Sequence, residues 1–342
     1  MNKQRNEQIL NAIVEDYVVT AEPVGSKAVA KKCGLNLSSA TIRAVMAELE
    51  QMGYLTQPHT SAGRIPTEKG FRTYLNGLIK KEEPLELDKA LITQTCKENF
   101  CRGVIADTAK TLSTLTNCAG IMFLPRIEDF IINSINIVPL DRTGLLVVFV
   151  SNYGMAQTRF IRLDTEVRTL DLDRITEHLN SIARGLEIRA LRSRIVEQMR
   201  MDKNLYDSLL ANALSVGAKA LEQRLENDSN MLCVEGALRM LDQPEFRDDL
   251  EKMKRIFAAF ETKSTLIRIL DQAMERPGTH VYLGSESNIK DFEGLSLVTA
   301  PYGAGGEILG TLGVIGPLRM NYSKIIPLVD YTALQLSTFF AA

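Results

Sequence analysis

Ser38, Ser39 and Thr41 stand just ahead of Arg43 at the start of the segment Leu37–Gly53, and a second cluster, His59, Thr60, Ser61 and Arg64, follows after it. Small hydroxyl side chains and free backbone N–H groups at a helix start suit phosphate oxygens. An arginine at that point offers a planar fork that matches the O6/N7 edge of guanine. Ser26 and Lys27 upstream add a hydroxyl and a cation, and Lys27, Arg64, Lys69 and Arg72 are expected to meet further phosphates. The chemistry this predicts is recognition of double-stranded DNA rather than bond making.

Such side chains need a rigid support, and the spacing supplies one. Ile42, Val45, Met46, Leu49 and Met52 recur at i, i+3, i+4, i+7 and i+10, which predicts a helix with one buried face and one free face. Ser38 is placed to cap its start, and Gly53 to take the left-handed conformation that ends it. Ile9, Leu10, Ile13, Val14 and Tyr17 form an earlier helical stripe, and Ser26–Cys33, closed by Gly34, predicts a short helix between the two. Three helices in this order make a helix-turn-helix core. Tyr54–Gln57 and Arg64–Thr67 are expected to pair as a hairpin, or wing, whose tip carries Pro58, His59, Thr60, Ser61 and Gly63.

Charge follows the same division. Residues 1–81 hold 11 Lys or Arg against 7 Asp or Glu, a net of +4, while the other 261 residues hold 29 against 35, a net of −6. The overall −2 conceals a basic front and an acidic remainder. With 342 residues, two or three domains are expected. No apolar run reaches the roughly 20 residues of a membrane span, and the polar start Met1–Arg5 lacks a signal-peptide core, so cytoplasmic residence is expected.

Other chemistries find little support. The five cysteines, Cys33, Cys96, Cys101, Cys118 and Cys233, do not read as a disulfide framework. Cys96 and Cys101 lack neighbouring ligands for zinc. His59, His178 and His280 sit in no Ser/His/Asp or Cys/His order. Gly303–Gly310 fits neither a dinucleotide fingerprint nor a phosphate loop, because Ile308 stands where the third glycine is required and no Gly-Lys-Ser/Thr follows. A hairpin turn between 297–300 and 308–315 is the expected role. Neither a catalytic site, a cofactor nor a metal is expected.

Residues 81–90, charged and broken by Pro84, read as a linker. Beyond them, 87–115 reads as helix, and 119–124, 131–139, 145–151 and 157–163 as strands too close together for βαβ crossovers. Leu172–Leu191 reads as helix, 280–283, 295–300 and 307–315 as strands, and Ser323 onward as a last helix. The expected class is α+β multidomain, with an antiparallel domain over 91–191 and 266–342 interrupted by a mainly helical module at 192–265.

The same residues carry a resemblance. Pro23-Val24-Gly25-Ser26, Ser38–Arg43, Leu49-Glu50 with Gly53-Tyr54-Leu55, and Pro58–Thr67 resemble the bacterial heat-inducible transcription repressor family HrcA, as do Val314–Pro317 and Arg319–Tyr322 at the far end. Two positions depart from it: Ala44, where the family usually has Asn, and Leu318, where Thr is commoner. The resemblance implies an N-terminal winged helix-turn-helix over 1–80, a GAF-like α+β domain, and an insertion that contributes to dimerisation. It also implies a homodimer on an inverted-repeat operator of chaperone operons, with activity linked to the chaperonin and lost on heat stress. A metabolite-responsive regulator is a second reading, separable by whether a ligand changes operator binding, and an enzyme a third, for which no acid, base or nucleophile cluster is visible.

Overall fold

Apolar periodicity in the first eighty residues becomes four helices and a small hairpin. The computed structural model describes residues 2–34, 37–59, 62–78, 83–98, 102–123, 131–152, 156–163, 166–167, 170–187, 190–191, 193–195, 197, 208–222, 232–244, 266, 270, 273, 277–287 and 292–341. Helices α1 (Asn2–Thr20), α2 (Ser26–Lys32) and α3 (Ser39–Gln51) bury Ile9, Leu10, Ile13, Val14, Val29, Ile42, Val45, Met46 and Leu49 together. Met52, expected in this stripe, is 45% exposed, because it caps α3 one residue past its last helical turn. Ser38 accepts a hydrogen bond from the Thr41 N–H at 3.1 Å. At the other end Gly53 takes φ +78°, its N–H donating to Glu50 O and that of Tyr54 to Leu49 O, the paired closure of a Schellman cap.

Strands β1 (Leu55–Thr56) and β2 (Ile65–Pro66) pair antiparallel, and a single bridge adds Val24 beside Arg64. Gly63 is required there, since a Cβ would stand 2.4 Å from Val24 O. Thr67 then caps α4 (Glu68–Asn76), accepting from Gly70 N–H at 3.2 Å.

Helix α5 (Glu86–Glu98) starts inside the expected linker, with Glu86 and Asp88 in its first turn where the helix dipole favours acids. It is followed by α6 (Arg102–Thr116) and β3 (Ala119–Phe123). A five-stranded antiparallel sheet has the order β7-β3-β10-β9-β8, formed by β7 (Leu232–Glu235), β8 (His280–Leu283), β9 (Leu295–Ala304) and β10 (Glu307–Pro317). The β9–β10 turn contains Gly305 and Gly306 at φ +61° and +89°. Two successive positive φ values are what a tight hairpin needs, and they account for the glycine-rich stretch. One face of this sheet packs on α6 and on the C-terminal helix α9 (Tyr322–Ala341). The opposite face, with Ile121, Leu297 and Ile315, meets Met240, Leu266, Leu270 and Phe292.

The strands between β3 and β7 do not join that sheet. β4 (Ile132–Pro139), β5 (Gly144–Ser151) and β6 (Ala156–Arg162) form a separate three-stranded meander. It packs with α7 (Leu172–Ala183) and α8 (Ser208–Glu222) around its own core of Ile135, Val147, Phe149, Ile161, Leu179, Ile195 and Leu214. Asn180 clasps β4 from α7, donating to Ile135 O and accepting from Ile135 N–H, both at 2.7 Å. The expected grouping of all the strands into one domain interrupted at 192 therefore differs from the observed one. A meander satisfies its ladder bonds locally, whereas β3 takes its partners from strands more than one hundred residues away. β7, inside the segment expected to be helical, is an edge of the larger sheet. The class is mixed α+β with antiparallel sheets.

Candidate nucleic-acid interface

The buried side of α3 leaves Ser38, Ser39, Ala40, Arg43 and Ala44 exposed along its other side. The Ser38 and Thr41 hydroxyls lie 2.9 Å apart and are committed to the cap. The Thr41 N–H is taken by Ser38 Oγ, while the N–H groups of Ser39 and Ala40, in the first turn, have no i−4 carbonyl within the helix. α2 packs on α3 and presents Ser26, half-buried at its first position, with Lys27 and Lys31 exposed. Lys32 is drawn back onto Asp16 of α1. Among the described residues, Lys27, Lys31 and Arg43 have no acidic side chain at ion-pair distance, so their charge faces solvent. Lys31 was not singled out from the sequence; its spacing of four from Lys27 on a short helix is the signal that marks it.

Other expected contacts are arranged differently. Arg64 Nε donates to Glu50 Oε2 at 2.8 Å, which ties the hairpin to α3. Lys69 Nζ donates to Met52 O at 2.8 Å and lies 4.5 Å from the centre of the Tyr54 ring, bracing the end of the same helix. Arg72, expected to meet phosphate, is engaged by Glu286 and Val281 O of the larger sheet's edge. His59 is exposed at the hairpin tip, where Ala62 N–H donates to His59 O at 2.9 Å and Gln57 reaches Ala62 O at 3.0 Å. Thr60 and Ser61 lie outside the described residues. The helix start, Lys27, Lys31 and Arg43 thus form the outward chemistry, and Arg64 and Lys69 hold the hairpin and α3 in register.

Elsewhere the chemistry is muted. Cys33, Cys96, Cys118 and Cys233 are in no disulfide among the described residues. Burial pushes the Cys96 thiol up to about 11, which keeps it protonated and unreactive. Burial likewise raises the Tyr302 and Tyr322 phenols far above their ordinary value. An open groove of about 500 Å³ lies between α5 and Tyr331, but its Lys89 is already held by Glu86 at 2.9 Å. No helix among the described residues is long and apolar enough to cross a membrane.

Comparison with known proteins places this arrangement in a family. Residues 102–326 match the model for the HrcA protein C terminal domain. The heat-inducible transcription repressor HrcA of Geobacter sulfurreducens is 42% identical, over 98% of this chain and 97% of its own length. That of Syntrophobacter fumaroxidans is 37% identical, over 98% and 96%. A solved structure described as a hypothetical protein at 2.2 Å resolution shares the fold, with TM-score 0.65 and 23% identity over 98% of both chains. On the family-model match and the near full-length identity together, the chain belongs to the HrcA family of heat-inducible transcription repressors.

Proposed function

We propose that this protein represses chaperone operons in the cytoplasm by binding an inverted-repeat operator as a homodimer, with activity linked to the chaperonin and lost on heat stress. The observation that carries the reading is α3: a capped helix with its apolar side buried, its opposite side bearing Arg43 between small residues, and a hairpin beside it. This is the arrangement of a winged helix-turn-helix whose second helix enters a major groove. The five-stranded sheet with α5, α6 and α9 corresponds to the GAF-like domain, and the β4–β6 body to the dimerising insertion.

The outer face of β4–β6 supports the dimer. Val138 pairs with Leu146 and Leu146 with Phe160 across the sheet, so the three side chains share one row on one face. Val138 and Phe160 are 44% and 42% exposed, while Val148 and Val150 of the same face are half-buried. The next row of the same face sets exposed Asn136 and Thr158 either side of Val148, and a second copy related by a two-fold axis would cover the apolar row and its polar flank together. Two-fold symmetry is also what an inverted repeat demands, one subunit to each half-site. Release by heat needs only a few kcal/mol, the scale of ordinary protein stability.

The test is binding of the purified protein, with and without chaperonin, to a chaperone promoter fragment bearing the inverted repeat and to a scrambled fragment, over a salt series. Tight binding that requires both half-sites is the expected result; equal, weak binding to both fragments would overturn it. Within this experiment Arg43→Ala is expected to weaken operator binding about 5- to 150-fold and to relax preference at one base pair, the cost of losing a bidentate base contact. Unaltered affinity and preference would remove Arg43 from base recognition. Lys27→Ala and Lys31→Ala are each expected to weaken binding to all sequences and to lower the salt slope by about one. A slope equal to that of the unaltered protein would place those lysines off the phosphates.

A further inference from the structure

Among the described residues, an aromatic cluster and two arginines join the N-terminal helices to the five-stranded sheet and its C-terminal helix, and they divide the work between them. Phe71 of α4 is fully buried, with its ring centre 6.3 Å from that of Tyr17 and 6.4 Å, edge to face, from that of Tyr322 at the start of α9. The apolar core is continuous across this junction, from Ile9, Ile42 and Phe71 through Tyr322 to Val298, Leu312 and Leu336. Apolar contact of this kind holds strongly but is non-directional.

Direction comes from two arginines. Arg72, next to Phe71, grips Glu286 with two nitrogens, Nε to Oε1 at 2.6 Å and Nη2 to Oε2, and Nη2 also donates to Val281 O at 2.8 Å. Val281 belongs to β8, an edge strand of the sheet, and Glu286 sits on the short turn that follows, its Oε2 accepting the Leu283 N–H at 3.1 Å. Arg319, between β10 and α9, donates to Val18 O near the end of α1 at 2.9 Å and to Gln243 Oε1 at 3.2 Å. The Arg72 and Glu286 side chains remain 31% and 38% exposed, so the pair adds little stability of its own. A two-pronged guanidinium–carboxylate contact fixes relative angle as well as distance, which a point charge does not.

We infer that Arg72, Glu286 and Arg319 are positioning residues: they set the angle at which α2 and α3 are carried on the sheet, and thereby the half-site separation the dimer accepts. The inference rests on the operator-binding reading. Half-sites one helical turn apart lie about 34 Å from centre to centre. Two reading helices span such a distance reproducibly only if each is held at a fixed attitude to the five-stranded sheet, from which the body read as joining the subunits extends. Arg72 therefore acts on DNA through Glu286, without touching it.

The test uses the full-length protein and four variants, Glu286→Ala, Arg72→Ala, Arg72→Lys and the double Arg72→Ala/Glu286→Ala, on operators whose half-site spacing changes in single base-pair steps. Glu286→Ala removes no positive charge, so its salt slope should match that of the unaltered protein while its preference for the best spacing falls several-fold. Arg72→Lys, which keeps the charge and loses the fork, should behave as Arg72→Ala does, and the double variant no worse than either single one, as expected of a coupled pair. An unaltered spacing profile in Glu286→Ala overturns the inference. So does a salt slope lowered by one in Arg72→Ala but restored in Arg72→Lys, which would assign Arg72 to a phosphate.

A second arm needs no DNA. Spin labels on p-acetylphenylalanine introduced at Gln51, on α3, and at Leu334, on α9, both exposed, report the angle directly. A distance distribution that broadens in Glu286→Ala and Arg72→Lys supports the inference; unchanged widths overturn it. If the unaltered protein binds no operator, the repressor reading fails, and this second arm still decides whether the arginine fork sets the angle.

Discussion

Phe160→Glu is expected to turn the protein into a monomer and to weaken operator binding by about 10²- to 10⁴-fold, the advantage that joining two half-site contacts confers. Phe160 is 42% exposed on β6 and stands in register with Leu146, which stands in register with Val138. A carboxylate at the β6 end of that row would be desolvated without a partner at any two-fold contact that covers the row. On the opposite side of the same strands, Ile135, Val147, Phe149 and Ile161 already hold α7 and α8, so the fold itself is not at stake. Light scattering gives the mass and a titration on the full inverted repeat gives the affinity. A dimer of undiminished affinity would exclude this face from the interface, while a monomer that still required both half-sites would break the link between symmetry and recognition.

Phe71→Ala is expected to cost about 3–5 kcal/mol of stability, the range for removing a fully buried aromatic ring. The ring is 1% exposed and lies between Tyr17 and Tyr322, each anchored in a different part of the chain. The void cannot close cheaply. Tyr322 is fixed by its hydroxyl to Leu318 O at 2.7 Å, and Tyr17 by its place in α1, so neither ring is free to collapse into the space. The urea midpoint should fall accordingly, and Phe71→Leu should recover much of the loss. A cost below about 1 kcal/mol would show that the two halves of the core are not mechanically joined there.

The parts of the molecule that were legible in its sequence are those whose instructions are local. α3 is written between Ser38 and Gly53, and its buried positions Ile42, Val45, Met46 and Leu49 follow from a single helical period. The β9–β10 turn is written in Gly305-Gly306. Met52 was misjudged because periodicity carries no mark of where the last turn stops. What the sequence does not show is partnership at long range. Nothing near Arg72 announces Glu286, 214 residues away, so its charge reads as one more cation for phosphate. The same holds for the sheets: alternating strands at 131–163 look equally suited to extending β3 or to pairing among themselves, and only the completed ladder distinguishes the two. Arg64 and Lys69 lie between these cases, since Glu50 and Met52 are only 14 and 17 residues distant but across a chain reversal.

Phe123, the last residue of β3, stands directly opposite Leu232, the first of β7. To the larger sheet, everything from residue 124 to 231 is the loop of one hairpin, and loop closure grows dearer only by about 0.6 kcal/mol for each doubling of length. A whole folded body can therefore occupy that loop without disturbing the ladder at its base. Among the described residues, the chain leaves the larger sheet for the piece read here as joining subunits at Phe123 and is back in the sheet at Leu232. That piece is accordingly open to lengthening, exchange or loss over evolutionary time while the larger sheet keeps its shape.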